Sequence, residues 1–523
     1  MQGLANYLNR RLDGIAYVAP RVRGAYDTDY SALKIKPTII VVPSSTRDIQ
    51  RVMGFAGQIQ NKGVKMGVTA RGNGTDKTGA AIGPGIVLDM RAEMNKIMEL
   101  DASQRLVRVQ AGITLRELNN ALAVQGLTIP VAAAEQTIGG MLANNYMGVL
   151  SHKYGGILRY VVSAEVVLSD GSLMRFERLN DRSVKKRLKK VSGLEREIYQ
   201  TVPELIAKNA DVLENARYRN AGYALDRVKF GNSFNFLRLI AGSQGTLGVI
   251  TELILHADYF EEMPTMLIAY ASGAEELSLW AKKAQELEAV FADFYDKKLV
   301  QHAALLGKGN ELLDVPEGAD YLAVIAFDDH SAIRRRHKVS RMAQALGGKV
   351  HVSSENDYGQ YLATREMLGI YLNDTTRGER TAMMDDVYVA PDRLPELAEK
   401  IKKLADATGL DLQLFGSLAT GIVNMRPRFE LGSVQGRQRM QFMMEKYAKV
   451  IASLDGDATG GAPEGRTKAH LITWSDEEAD LHQAVKDLFD PHRLLNPGVK
   501  LDVPKTIFAK HAREEYLDGV IVA

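Results

Sequence analysis

Apolar positions in the first half of the chain fall into short runs separated by stretches of helical spacing. Ile39 to Val42 is unbroken and ends in Pro43-Ser44-Ser45-Thr46, after which Ile49, Val52, Met53 and Ala56 recur on one helical face, predicting strand, cap and helix. Val64 to Val68, Ile86 to Met90 and Leu106 to Gln110 read as further strands, and Leu115, Leu118 and Leu122 mark a helix face. Val161 to Leu168 and Leu173 to Phe176 flank Asp170-Gly171 as the arms of a hairpin. Past about Ala257 the rhythm changes to strands at Met266–Tyr270, Tyr321–Phe327, Val387–Val389 and Leu412–Phe415, separated by helices such as Leu394–Ala407. That predicts an antiparallel sheet backed by helices, a separate α+β unit. The last stretch, from about Asp455, is short and is expected to return to the first domain.

Composition narrows the class. A chain of 523 residues, 46% apolar and 25% charged, can bury more than one core. The net charge of +2 gives no broad footprint for nucleic acid. With no cysteine, the chain has no disulfide, no thiolate nucleophile and no ligand for an iron–sulfur cluster. No apolar run reaches the roughly 18 residues of a membrane span, and Arg10-Arg11 is not followed by the apolar region of an export signal. The expectation is a cytoplasmic protein, with contact at the inner face of a membrane left open.

Three glycine-rich segments carry the chemistry. Arg71-Gly72-Asn73-Gly74-Thr75-Asp76-Lys77-Thr78-Gly79 follows a predicted strand, where glycines let backbone N–H groups approach a phosphate. A Rossmann fingerprint would need glycine in place of Lys77, and a P-loop would need it in place of Asp76, so neither fits. Thr137-Ile138-Gly139-Gly140-Met141-Leu142-Ala143-Asn144-Asn145 puts two glycines at a helix start, where free N–H groups and the dipole favour an anion. The third is Gly242-Ser243-Gln244-Gly245-Thr246-Leu247-Gly248-Val249-Ile250-Thr251. Taken singly, each reads as a tight turn.

Together, in order and spacing, they resemble the FAD-linked oxidases of the vanillyl-alcohol oxidase and p-cresol methylhydroxylase superfamily. Asp76 stands where that family usually has serine. Asp89-Met90, Met94-Asn95-Lys96-Ile97, Tyr154-Gly155, Glu165 to Gly171 and Asn496-Pro497-Gly498 also match it, so the resemblance spans nearly the whole chain. It implies a mixed α/β fold of the α+β class: a two-subdomain FAD-binding domain at 34–257 behind an N-terminal helical extension at 1–33, a substrate-binding cap at 258–454, and a C-terminal return at 455–523. It further implies that Arg71, Gly72, Asn73, Gly74, Thr75 and Asp76 line the FAD pyrophosphate. Thr137, Gly140, Asn144, Tyr154 and Gly245 would lie along the cofactor, Ile250 would touch it through backbone atoms, and Asn496 would sit near the flavin ring. Relatives with a histidyl flavin carry the linking histidine near the position of Thr75; with threonine there and no cysteine, the expected FAD is non-covalent.

The second half resembles the cap of the D-lactate dehydrogenase and glycolate oxidase D-subunit branch, through Asp385-Asp386-Val387-Tyr388-Val389-Ala390-Pro391 and Tyr361-Leu362-Ala363-Thr364-Arg365-Glu366. By that resemblance Arg365, with Arg426, would hold a substrate carboxylate; the plainer alternative is a surface arginine paired with Glu366 or Asp374. The family's metal motifs are missing. Where relatives have glycine-histidine-x-glycine, this chain reads Gly416-Ser417-Leu418-Ala419, and Gly461-Ala462-Pro463 replaces glutamate-histidine-glycine. No metal is expected on those side chains. His470 is the remaining histidine nearby and a candidate base, although a lone histidine before Leu471-Ile472 also reads as packed. Lys468, Arg466 and Lys500 are further candidates to bind an anion.

Three functions remain compatible with these residues. The first is oxidation of a small, anionic 2-hydroxy acid by hydride transfer to the flavin. The second is a metal-free oxidase of an alcohol, sugar or lactone, and the third is an electron-carrying flavoprotein without catalysis. Electrons would leave to oxygen, a quinone or a separate protein. Two basic segments, Arg182 to Lys190 and Arg334 to Lys338, read as solvated helix faces, with anionic lipid or an acidic redox partner as the alternative.

Overall fold

The computed structural model describes residues 1–513 apart from 217, 219, 260–263, 306–310, 348, 349, 355 and 374–381, and gives only the backbone of 311 and 369–373. Strands Ile39–Val42 and Val68–Arg71 both pair in parallel with Ile86–Asp89. A parallel pair needs a crossover, and helix Thr46–Gln60 supplies it, entered through Ser45, whose side chain accepts from the Asp48 N–H. Its apolar face, Ile49, Val52, Met53 and Ala56, is fully buried. The strand expected over Val64 to Val68 instead begins at Val68. Gly63, at φ +83°, breaks the chain's direction, and Val64 stays half exposed. The strand expected to reach Met90 ends at Asp89, whose carboxylate caps the next turn by accepting the Arg91 and Ala92 N–H groups. The N-terminal extension, expected to be helical, also contributes strand Ile15–Tyr17, antiparallel to Ile39–Val42.

The second sheet has seven antiparallel strands, running in space from Lys229–Phe230 through Ser233–Asn235, Leu173–Asn180, Val161–Val167, Val249–His256 and Leu106–Gln110 to Ile97–Asp101. One apolar core serves both sheets. Helix Asp476–Phe489 enters that core with Leu481, Val485 and Phe489, followed by Leu494 and Leu495. The last described helix, Ile507–His511, buries Ile507 and Phe508 in a different core, that of the cap.

The cap is a seven-stranded antiparallel sheet in the order Val350–Val352, Thr265–Ala271, Tyr321–Phe327, Phe291–Asp296, Leu414–Ser417, Ile422–Met425 and Val387–Tyr388. Three of these strands, Phe291–Asp296, Val350–Val352 and Ile422–Met425, were not foreseen. Side chains alternate between faces along a strand. Ala292 and Phe294 therefore join the core against helices Ala274–Glu286 and Leu394–Thr408, while Phe291 and Tyr295 face helix Tyr358–Asn373 and, from the first domain, Leu150 and Tyr154. No described helix is long and apolar enough to cross a membrane.

Candidate cofactor and substrate site

Strand Val68–Arg71 runs out into the first glycine segment, beside the third. Gly74 (φ +70°) and Gly245 (φ +71°) occupy backbone conformations that glycine adopts without strain. A Cβ on Gly72 would lie 2.1 Å from Thr137 Oγ1, so this glycine serves the contact between the first and second segments as much as any ligand. Asp76 organises the loop: Oδ1 accepts from Thr78 N at 2.8 Å, Thr78 Oγ1 at 2.9 Å and Ala80 N at 2.9 Å. Among the described residues, no backbone N–H from Gly72 to Lys77 has a protein acceptor. Successive unspent N–H groups around a positive-φ glycine form an anion nest.

The second segment behaves differently from the expectation of free donors at a helix start. Thr137 caps helix Ile138–Ala143, and the first N–H groups are spent: Ile138 on Ile113 O, Gly139 on Ala111 O, and Gly140 on Thr137 Oγ1 at 3.3 Å. Its contribution is the wall it forms. Gln244, in the third segment at φ +53°, ties the pieces together. Its amide nitrogen donates to Thr78 Oγ1 at 2.9 Å and Asn144 Oδ1 at 3.1 Å, and its oxygen accepts from Gly465 N at 3.0 Å. Asn496 completes the floor, donating to Ala80 O and Gln244 O and accepting from Thr69 Oγ1.

The result is an open cleft lined by Arg71 to Asp76, Thr137, Gly140, Asn144, Gly245 and Ile250, with Met90, Ala111 and Ala143 as apolar wall. Three expected residues are arranged otherwise. The Arg71 side chain turns away and donates to Thr28 O at 2.8 Å and Ala81 O at 3.2 Å, so it braces the loop and offers the cleft its backbone. The Asn496 amide is used up within the floor and does not line the cleft. Tyr154 also stands outside the lining, its hydroxyl bonded to Asp328 of the cap. The nest and the apolar wall together fit a dinucleotide flavin held by its pyrophosphate.

The cap presents charges, and Lys77 of the glycine loop reaches them. Asp293, 3% exposed, accepts from Arg365 Nε at 2.8 Å through Oδ2 and from the Tyr295 hydroxyl, and its Oδ1 is buried. The Arg365 guanidinium lies over the Phe291 ring. Burial disfavours the Arg365 charge, but Asp293 and Tyr295 outweigh that and hold it above its usual range. Burial likewise pushes the Asp293 carboxyl up, with Arg365 opposing. Arg426 meets Asp385 Oδ2 with Nε at 2.8 Å and Nη2 at 2.7 Å, and Lys77, from the glycine loop, reaches the same oxygen at 3.1 Å. Asp386, at φ +60°, is half-buried beside Lys77, Lys468 and Arg426; desolvation works against its charge, but these cations hold its carboxyl below the usual range.

The other sequence candidates are spent or remote. Lys500 pairs with Glu464 at 2.8 Å in full burial, and Arg466 donates to Ile82 O and Pro497 O behind the loop. Lys468 donates to Asp385 O and Ala458 O. His470 packs edge-on to Phe508 against the cap core, its Nε2 buried without a partner among the described residues. Burial lowers its pKa. Asp374, the alternative partner for Arg365, lies outside the described residues. Ser417, where the resemblance has histidine, lies opposite Asp293 in the sheet register. No group of three or more His, Asp or Glu side chains able to hold a metal occurs among the described residues. Gln244, Lys77, Asp293 and Asp385 are the site residues that sequence reasoning left unassigned.

Comparison with known proteins agrees with this geometry. Residues 37–177 match the FAD binding domain, and 261–499 match the C-terminal domain of FAD linked oxidases. The chain is 26% identical to a D-lactate dehydrogenase of Archaeoglobus fulgidus, over 88% of this chain and 90% of that one. It is 24% identical to glycolate oxidase subunit GlcD of Bacillus subtilis, over 91% and 90% respectively. Identity to a D-2-hydroxyglutarate dehydrogenase of Haemophilus influenzae is 24%, over 90% of this chain but 48% of that protein, so the chain spans about half the length of such relatives. In fold it is similar to 4-ethylphenol oxidase from Gulosibacter chungangensis, with a TM-score of 0.68 at 13% identity, covering 97% of this chain and 98% of the other. An alkyldihydroxyacetonephosphate synthase shares the fold at TM-score 0.61 and 15% identity, covering 95% of this chain and 86% of that one.

Proposed function

We propose that this chain, which belongs to the FAD-linked oxidases through both its FAD binding domain and its C-terminal domain, oxidises the CH–OH group of a small 2-hydroxy acid. Bound FAD would supply the hydride acceptor for that reaction. In this reading the cofactor is non-covalent, held by the backbone N–H groups of Gly72 to Lys77 and by the wall from Thr137 to Asn144. The observations that carry the reading are the unspent donor row of the glycine loop, whose Lys77 reaches Asp385 of the cap, and a cap arginine fixed by a buried carboxylate. Asp293 takes Arg365 through Nε, which leaves the terminal nitrogens of the guanidinium to grip a substrate carboxylate in two-point fashion. Such a grip orients the neighbouring carbinol and removes much of the entropic cost of reaction. The hydroxyl proton goes to the Asp293 carboxylate, whose basicity is raised by burial and tempered by Arg365 and by the Tyr295 hydroxyl that donates to it. Arg426 and Lys77 hold the cap to the glycine loop through Asp385. The electrons then pass to an acceptor outside this chain: oxygen, a quinone or a second protein.

The test is the visible spectrum of the purified protein, before and after heat or acid, followed by anaerobic addition of glycolate, D-lactate and D-2-hydroxyglutarate and then of sugars and alcohols. FAD released into solution, and bleaching by a 2-hydroxy acid alone, are expected. Bleaching only by alcohols, sugars or lactones would replace the substrate class, and FAD that nothing reduces would leave an electron carrier.

A further inference from the structure

Helix Asp181–Leu188 lies on the outer surface of the first domain, far along the chain from the glycine loop and cap residues that form the cleft. Val184 is buried in the core and Leu188 packs against it, so this i, i+4 pair fixes which side of the helix faces inward. The remaining positions turn to water. Arg182, Lys185, Lys186, Lys189 and Lys190 are all exposed, and no described residue pairs with them. Arg187 is the exception, spent on Glu177. The ten residues 181–190 thus hold six cations against one carboxylate, in a chain whose net charge is only +2. Asp181 sits at the helix N-terminus, which favours it, and Glu195 of the neighbouring helix lies near Arg187, which Glu177 already engages.

A second feature belongs to the same face. Strand Leu173–Asn180 leads directly into the helix and also pairs with Ser233–Asn235, whose hairpin partner is the edge strand Lys229–Phe230. The Asp181 N–H donates to Asn232 O at 3.0 Å and so ties the helix start to the hairpin turn. At that tip Phe230 is 80% exposed, while Phe234 of the same hairpin is buried. Lys229 beside it is exposed as well. A lone exposed aromatic is ordinary. One projecting from a hairpin tip tied to five unpaired cations has the make-up of a surface-lying membrane contact. In the other basic segment, Arg334 to Lys338, Lys338 is engaged by Glu288 and Asp329 and Arg335 donates to Asp329 O, which leaves Arg334 and Arg336 as its exposed cations beside an exposed Ile333.

We propose that the face formed by helix Asp181–Leu188, Lys189, Lys190 and the Lys229–Phe230 hairpin tip docks on an anionic lipid bilayer, the cations lying over the headgroups and Phe230 entering the interface. An acidic protein would satisfy the cations but has no need of a projecting phenylalanine, which is why lipid is the assigned partner. Docking would bring the reduced cofactor to the surface where a membrane-soluble acceptor resides.

The intact, flavin-loaded protein is sedimented with phosphatidylcholine vesicles with and without phosphatidylglycerol, at low and high salt. Binding confined to the anionic vesicles and abolished by salt is expected. Lys185→Glu/Lys186→Glu should weaken it by about tenfold or more, at roughly a tenfold change for each 1.4 kcal/mol. Both positions are exposed, so flavin content and thermal midpoint should not change. Phe230→Trp should show a blue-shifted emission on anionic vesicles only. Equal sedimentation with both vesicle types, or binding untouched by the double charge reversal, overturns the proposal. Vesicle binding without a shift at Phe230→Trp overturns the insertion and leaves a purely electrostatic contact, as an acidic protein partner would also make.

Discussion

The cleft and the cap treat charge in opposite ways. Along the glycine loop the backbone donors from Gly72 to Lys77 are uncommitted, whereas Arg365 and Arg426 of the cap, and the Lys77 Nζ that reaches the cap, all face buried carboxylates. Backbone donors stay organised whatever the neighbouring side chains, so the cleft waits for an anion without internal competition. The cap cations are mutually compensated. Buried pairs of this kind add little net stability while both partners are present, but losing one partner is costly. Only a cation with free valence, such as the outer nitrogens of Arg365, can recruit a ligand. The cofactor side is therefore built for affinity and the substrate side for orientation.

The cleft half of the comparison breaks most completely at Gly74. Gly74→Val would place a β-carbon 2.2 Å from Arg71 Nη2 in a backbone conformation at φ +70°, which costs about 1–3 kcal/mol in strain before the clash is counted. Arg71 cannot yield freely, because its guanidinium holds Thr28 O and Ala81 O. The variant should purify colourless, with FAD affinity lowered by about 100-fold, roughly 2.7 kcal/mol. Equilibrium titration of the apoprotein with FAD checks this; affinity close to that of the parent would show that the loop is not the cofactor's seat.

The cap half is tested by separating pairing from recognition. Arg365→Met leaves Asp293 buried and unpaired, and should lower stability by about 1–3 kcal/mol. That is less than for a fully enclosed pair, since the Arg365 side chain keeps 23% exposure. Arg365→Met/Asp293→Leu replaces both partners by apolar groups and should recover most of that loss. Binding of a 2-oxo acid, read as a perturbation of the flavin spectrum, should fall by about tenfold or more in both variants. Recovery of binding together with stability would reduce Arg365 to a structural role.

How far each half was legible in the sequence follows the same division. Glycines leave a trace wherever the backbone needs them, so Gly74 and Gly245 mark the cleft directly, and the apolar rhythm marked most strands around it. What the sequence could not display was where polar groups spend their bonds. The start of helix Ile138–Ala143 looks like an anion site until the carbonyls of Ala111 and Ile113 take its donors. Arg71 looks like a phosphate ligand until its guanidinium turns to Thr28 and Ala81. Gln244 joins Thr78, Asn144 and Gly465, partners at least 100 residues away along the chain, and no local pattern announces such a hub. Asp293 is a single polar position inside an apolar strand and gives no signal until Arg365 arrives from another element.

A subtler effect sharpens the comparison from within the cleft. Asp29 is buried behind the glycine loop, accepting from Ser31 N and Ala81 N. Burial, followed by the nearby charge of Asp76, lifts its carboxyl from 3.8 to about 6. A folded-state value above the unfolded one means that folding takes up a proton. The associated stability, about 3 kcal/mol at most by linkage, is fully present below the unfolded value and is lost as pH rises through about 6. The same proton matters to an anion on the loop, which meets one negative charge fewer when Asp29 is neutral. FAD should therefore bind several-fold tighter at about pH 5.5 than at about pH 7.5, by ordinary charge coupling. Asp76→Ser retains a hydroxyl to accept from Thr78 N and Ala80 N while removing the second charge. It should tighten FAD at the higher pH and flatten the difference, as read by quenching of flavin fluorescence on reconstitution. A parent affinity that does not vary between those two pH values would mean that the pyrophosphate does not feel this pair of carboxylates, and would move it away from the Asp76 end of the loop toward Gly72.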